Sequence, residues 1–294
     1  MANGMKSVFS FLANALARFF ATVFSNKKSA IGFIILMVFL FFAIWGSDLF
    51  PYDISTDYAN KYAPISPEHI LGTDYMGRDV FTQIVVGCRN MFFLSLLTAA
   101  MTVTIGTFLG VLSGFVGGLT DKVIQMLTNL VLNIPQFPIL LVLSTVFTIK
   151  DTVSFAVVLS VFSWAGLCRS VRAQIISLKE RDFIQICKVM KMPSLRIILT
   201  QLIPNIYSYI IVNFVMVMRN AITASVGIMT LGLAAYDATN WGVMLYQARI
   251  LGLVNNDVIA YMLKPLIVLV VFQIGTISLA NGLDEVFNPR LKKL

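Results

Sequence analysis

Long apolar runs separated by short polar segments dominate this chain. The runs at 30–49, 91–114, 123–145, 155–171, 203–222 and 258–279 are continuous, with no alternation of polar and apolar positions. Each approaches the about 20 helical residues that cross about 30 Å of hydrocarbon. A transmembrane β-barrel would instead show segments of about 10 residues with a period of two. The pattern predicts an all-α integral membrane protein with about six transmembrane helices, the fifth running on toward Gly232.

Two segments depart from that pattern before the first span and after it. Within 7–24, Val8, Leu12, Ala15, Phe19 and Val23 recur at helical spacing, with Ser10, Asn14 and Arg18 toward another side. An interfacial amphipathic helix is the expectation, within an N-terminal cytoplasmic segment 1–28 that precedes a transmembrane domain 29–294. Asn26-Lys27-Lys28 follows this stretch and a full-length apolar run comes next, which fits a cleaved signal peptide poorly. The polar segment 50–89, rich in Pro, Asp and Tyr, is too long for a tight turn and predicts a small folded extracytoplasmic cap.

Composition agrees with this reading. Charged residues make up 12% of the chain and hydrophobic residues 58%, with a mean hydropathy of +0.84; soluble domains carry roughly 25% charge. The net charge of +8 does not indicate nucleic acid, because most Lys and Arg residues occupy the connections between apolar runs. Lys6, Arg18, Lys27, Lys28, Lys122, Arg169, Arg172, Lys179, Arg181, Lys188, Lys191, Arg196, Arg290, Lys292 and Lys293 fall on one side; Lys61, Arg78, Arg89, Lys150 and Arg249 fall on the other. That bias puts both termini in the cytoplasm. Cys88, Cys168 and Cys187 have no metal-ligand spacing and read as small apolar residues.

The segment 177–205 is charged and helical in pattern, yet held between two spans. Its apolar residues Phe183, Ile184, Cys187 and Met190 recur at i, i+3, i+4 and i+7 steps, so one face suits a groove on a soluble partner while Lys188 and Lys191 stay wet. The other reading is an amphipathic loop helix on the lipid surface.

Arg181-Asp182-Phe183-Ile184-Gln185-Ile186-Cys187-Lys188, with Leu195-Arg196-Ile197-Ile198 and Leu202-Ile203-Pro204-Asn205, resembles the coupling loop of ABC-importer permeases, in particular the dipeptide/oligopeptide/nickel branch. Gln185-Ile186-Cys187 replaces the usual Glu-Ala-Ala, and Lys191 stands where a glycine is usual. His69-Ile70-Leu71-Gly72-Thr73-Asp74 and Gly77-Arg78-Asp79 are similar to the signature of that branch's second-type permease subunit. Asn26-Lys27, Ile31-Gly32, Pro51-Tyr52-Asp53, Trp241-Gly242, Met244-Leu245 and Asn288-Pro289-Arg290-Leu291 extend the likeness over nearly the whole chain. The resemblance implies a type I importer permease fold. It also implies a homologous permease partner, two cytoplasmic ATPases that carry the ATP and Mg, and an extracytoplasmic solute-binding protein. Arg181, Asp182, Phe183, Ile184, Gln185, Ile186, Cys187, Lys188 and Lys191 are then the ATPase-coupling residues. Peptide cargo is implied first, with nickel or metal chelates and oligosaccharides as alternatives.

The same residues also have a physical reading. Gly72, Thr73, Asp74, Gly77 and Asp79 are turn and cap types that suit a tight loop starting the next helix. Arg78 and Asp79 fit a structural ion pair or cap, or else a contact with cargo or an external partner. His69 has no second ligand at metal spacing and reads as a loop hydrogen-bonder. Gly106, Gly110, Gly114 and Gly118 fall every fourth residue and predict a close helix contact.

Asn129, Asn133, Pro135, Gln136 and Pro138 interrupt the third run, where the amides either line a polar pathway or bond between helices. Arg219 lies within an apolar run and Ser225 follows it; the resembling family tends to have Gly and often Glu there. Arg219 faces anionic cargo, pairs with a neighbouring helix or snorkels to an interface.

No G-x-x-x-x-G-K-[ST] loop, G-x-S-x-G or H-E-x-x-H occurs, so this chain is expected to be neither the ATPase nor an enzyme, and to hold no cofactor or metal of its own. An ion-coupled secondary transporter would need carboxylates within the spans, and the runs above contain only Asp48, at the very end of the first.

Overall fold

A computed structural model describes residues 20–146, 151–233, 239–252 and 256–287. The helices are α1 (Lys27–Leu49), α2 (Val80–Val116), α3 (Gly118–Asn133), α4 (Gln136–Val146), α5 (Thr152–Lys179), α6 (Asp182–Val189), α7 (Ser194–Ile197), α8 (Ile203–Thr230), α9 (Trp241–Leu251) and α10 (Asn256–Phe287). Among the described residues no strand forms. The helices α1, α2, α5 and α10, and α7 through α8 taken together, are long and apolar enough to cross a membrane. A sixth span requires α3 and α4 to be counted as one, although they meet at 83°. The expected straight span 123–145 is therefore a bent pair: Pro135 lacks an N–H and disfavours a helical conformation in Ile134, whose backbone is extended (φ −82°, ψ 123°).

Helix α2 starts well before the expected span at 91. Its 37 residues correspond to about 55 Å, so its first turns lie beyond the hydrocarbon under the loop. The predicted cap is accordingly 50–79, not 50–89. The carboxylate of Asp79 starts α2 by accepting the Thr82 N–H at 2.7 Å.

The centre of the bundle is α2, which packs against α1, α5 and α8. Its seam with α5 is the glycine stripe: a methyl group on Gly106, Gly110 or Gly114 would meet Trp164 O, Cys168 O or the Ile175 side chain at 3.0 Å or less. Backbones approach so closely only where side chains are absent. Gly118 does not belong to the stripe, because the helix ends at Val116 and Gly118 opens α3 with φ +59°. A second seam joins α1 to α10, where a methyl on Gly32 would lie 2.3 Å from Leu279 N. Phe39, Trp241, Phe272, Tyr261 and Met91 fill the core between these helices.

The N-terminal amphipathic helix falls mostly outside the described residues. Residues 20–24 are helical, with Val23 buried and Phe20 and Phe24 edge-on to Phe33. Asn288-Pro289-Arg290-Leu291 also lies outside them.

Candidate coupling and translocation surfaces

The loop 50–79 closes one end of the bundle around a buried carboxylate. Asp74 accepts from the backbone N–H groups of Met76 (2.8 Å) and Arg78 (2.9 Å), from Arg78 Nε (2.8 Å) and from Gln83 Nε2 (3.0 Å). Both Asp74 and Arg78 are buried. Burial opposes the Arg78 charge, but the Asp74 hydrogen bond and charge outweigh it and raise its pKa. Thr73 Oγ1 accepts from Ala63 N at 2.7 Å, and Gly77 sits at φ +80° where a methyl would collide with the Asp57 carbonyl. His69 Nδ1 meets Asp79 Oδ2 at 3.0 Å.

The signature His69, Gly72, Thr73, Asp74, Gly77, Arg78 and Asp79 is thus one hydrogen-bonded knot. Arg78 pairs with Asp74 and not with Asp79, which caps α2 and holds His69. A further contact docks the knot on the bundle: Lys264 reaches the loop, its Nζ 3.5 Å from where a Gly72 methyl would lie. Beneath it, Trp241 Nε1 donates to Ile84 O at 3.0 Å and ties α9 to α2.

At the opposite end, α6 lies across the mouth between α5 and α8. Ile184 is fully buried against Ile175, Ile197, Leu202 and Ile206, and Cys187 packs against the same cluster. Fully burying a side chain of this size stabilises by about 1.5–3 kcal/mol. Phe183, Ile186, Val189 and Met190 point away, with Val189 82% and Met190 70% exposed. The expectation that Phe183, Ile184, Cys187 and Met190 form one partner-facing stripe is therefore corrected. An eight-residue helix that is apolar on two sides has two ways round, and the cavity left by α5, α7 and α8 selects Ile184 and Cys187.

Lys191 follows at φ +54°, in the left-handed region where glycine is comfortable, and its N–H donates to Lys188 O at 2.9 Å. A π-turn at Ile198–Leu202 joins α7 to α8, placed where Pro204 cannot donate to the carbonyl one turn back.

Polar ties connect α6 to the spans. Gln185 Nε2 donates to Lys179 O at 2.9 Å, and Lys179 Nζ donates to Phe115 O at 2.7 Å, so α6, α5 and the end of α2 are linked in series. Arg172 grips Asp121 with two bonds of 2.6 Å each, and Asp121 also accepts from Ser113, which ties α3 to α5 and α2. Sequence reasoning missed this clamp. An acidic residue at the start of an apolar run was its available signal.

The proposed pathway residues do not form one cluster. Asn129 Oδ1 accepts from Arg169 at 2.6 Å, Asn133 Nδ2 donates to the Asn129 carbonyl at 2.9 Å, and Gln136 Nε2 donates to Ser163 Oγ at 3.1 Å. All three amides are exposed along α3 and α4, beside α5. Ser225 is fully buried and donates to Ile222 O, so it lines no pathway in this structure. Arg219 is half-buried on α8. Its guanidinium contacts only Asn220 Oδ1 at 3.2 Å, with no carboxylate partner among the described residues.

Residues 106–293 match the family model described as binding-protein-dependent transport system inner membrane component. The chain is 26% identical over 272 residues to the oligopeptide transport system permease protein OppC of Bacillus subtilis (strain 168), covering 92% of this chain and 88% of that protein. It is 30% identical over 226 residues to the OppC protein of Haemophilus influenzae, covering 76% and 72%. It is 27% identical over 239 residues to the dipeptide transport system permease protein DppC of Lactococcus lactis subsp. cremoris (strain MG1363), covering 79% and 67%. A bundle of apolar helices, a signature loop folded as a unit and a presented helix at the opposite end therefore accompany these matches, and the chain belongs to the family of binding-protein-dependent transport system inner membrane components as an OppC/DppC-like permease subunit.

Proposed function

We propose that this chain forms one half of a translocation pathway for di- and oligopeptides, driven by ATP hydrolysis on two separate cytoplasmic subunits. A homologous permease completes the pathway, and an extracytoplasmic binding protein delivers cargo at the 50–79 end. Both termini are cytoplasmic in this reading, as the distribution of Lys and Arg favours.

The observation that carries it is α6. A short helix is anchored by Ile184 and leaves Ile186, Val189 and Met190 to solvent beside Lys188. Such a surface suits a groove on a soluble partner. When the ATPases close, they displace α6, and the Gln185–Lys179–Phe115 series passes that displacement to α5 and α2 together. The Asp121–Arg172 clamp carries α3 along. The spans then move as rigid bodies about the glycine seams, where backbone contact leaves little slack.

Peptide cargo is supported by the printed names of the relatives. Arg219 is our candidate for the cargo's carboxylate, because a half-buried guanidinium at span level without a carboxylate partner is costly unless an anion visits it. The test is ATPase activity of the assembled complex in lipid nanodiscs, with binding protein loaded with a peptide mixture. Stimulation is expected, is abolished by Val189→Glu, and is weakened for peptides but not for their C-terminal amides by Arg219→Gln. Stimulation by sugars or metal chelates instead would replace the cargo; absence of any associated ATPase would remove the importer reading.

A further inference from the structure

A cleft of about 490 Å³ opens between α2 and the start of α5, lined by Arg89, Asn90, Phe93, Leu97, Ala100 and Thr152 among others. Its polar residues are ordered by depth. Arg89, Asn90 and Thr152 form the rim nearer the 50–79 loop, and Phe93, Leu96, Leu97 and Ala100 continue down α2. From Arg89 to Ala100 the helix descends about 16 Å, roughly half of the about 30 Å hydrocarbon thickness, or one leaflet.

Arg89 is exposed, and among the described residues it has no ion pair or hydrogen-bond partner. This sets it apart from Arg78, Arg169 and Arg172, which all have partners. A guanidinium at the membrane boundary over an apolar slot calls for an anion that brings an apolar tail. Asp151, which precedes Thr152 in the chain, is turned to its own helix, accepting the Ser154 N–H at 2.8 Å to cap α5.

We propose that this cleft is a phospholipid site: the phosphate of a lipid in the loop-side leaflet sits on Arg89 and Asn90, and one acyl chain lies along Phe93, Leu97 and Ala100. The lipid then fills the α2–α5 groove above the glycine seam. A free phosphate would satisfy Arg89 and leave the slot empty, whereas a lipid accounts for both.

The test uses the whole transporter complex in phosphatidylcholine nanodiscs doped with phosphatidylglycerol carrying a photoactivatable acyl chain, with crosslinks mapped by mass spectrometry. Labelling is expected on the peptides containing Phe93, Leu97 and Thr152. It should fall to background in Arg89→Gln, persist in Arg89→Lys, and fall in Leu97→Trp, which fills the slot without touching the charge. Excess inorganic phosphate should not compete. Unchanged labelling in both Arg89→Gln and Leu97→Trp would overturn the proposal, as would no labelling of these peptides in the complex because a protein subunit covers them. Preferential labelling of the cleft by a photoactivatable cargo peptide would overturn it in favour of a cargo site.

Discussion

The two polar interruptions at opposite ends of the bundle resolve the same problem in opposite ways. The 50–79 loop turns one ion pair inward: Asp74 and Arg78 are buried and bonded to each other, Asp79 and His69 close a second pair, and Asp53, Asp57, Lys61 and Glu68 stay in solvent. The α6 connector turns apolar side chains outward, with Ile186, Val189 and Met190 in solvent. A segment that satisfies its own polar groups is finished as a folded unit. The loop exposes Ile54, Ile65 and Ile70 as well, so the difference lies in the buried ion pair that organises it. Helix α6, by contrast, is held to the bundle by Ile184 and the Gln185 hydrogen bond, and the functional reading rests on its outward face.

The largest effect that separates the two is expected for Asp74→Ala. It strands the buried Arg78 charge, and breaking such a pair by removing one partner costs about 3–5 kcal/mol. The thermal midpoint of the detergent-solubilised chain should drop sharply while α6 mutants keep theirs. Gly110→Val comes next, since the added side chain meets Cys168 O and Val171 at under 3 Å, and overpacking costs typically about 1–3 kcal/mol. The same melt would show it, and an unchanged midpoint would mean that the α2–α5 seam can open.

Lys191→Gly should stabilise the connector by about 1 kcal/mol through relief of the left-handed backbone, offset in part by the extra freedom of glycine when unfolded. Hydrogen exchange of the α6 amides is the appropriate readout. Ile186→Asp should change the stability of the isolated chain least, within about 0.5 kcal/mol for an exposed site, yet reduce co-purification of the ATPases. A large loss of stability there would contradict the division between the two regions.

Much of this was legible because membrane insertion imposes simple rules on composition. Spans 30–49, 203–222 and 258–279 lie inside α1, α8 and α10, and the Gly106/Gly110/Gly114 spacing led directly to the α2–α5 contact. Local chemistry was legible too: Asp79 caps its helix, and His69 takes a loop hydrogen bond. What was not legible depended on orientation and distant partners. Asp74 and Asp79 are both acidic residues near Arg78, and only the backbone path through Gly77 decides that Arg78 turns back to Asp74. Ser225 is a small polar residue on a span with no signal of which way it faces, and the packing of α8 buries it. Arg172 finds Asp121 across 51 positions of sequence, a distance no local pattern encodes.

The sequence by itself determined that this is a polytopic helical membrane protein, approximately where its spans run, and which two connectors carry more than a turn. It could do so because hydrocarbon admits few backbone solutions, and each leaves a mark in hydropathy, glycine spacing or capping residues. Only the tertiary structure decided which side of α6 is anchor and which is offered outward, that the third run bends by 83°, and which arginines have partners. Those outcomes follow from packing between helices far apart in the chain. Burying Ile184 in a pocket built by α5, α7 and α8 fixes a rotation that the helix's own periodicity leaves open.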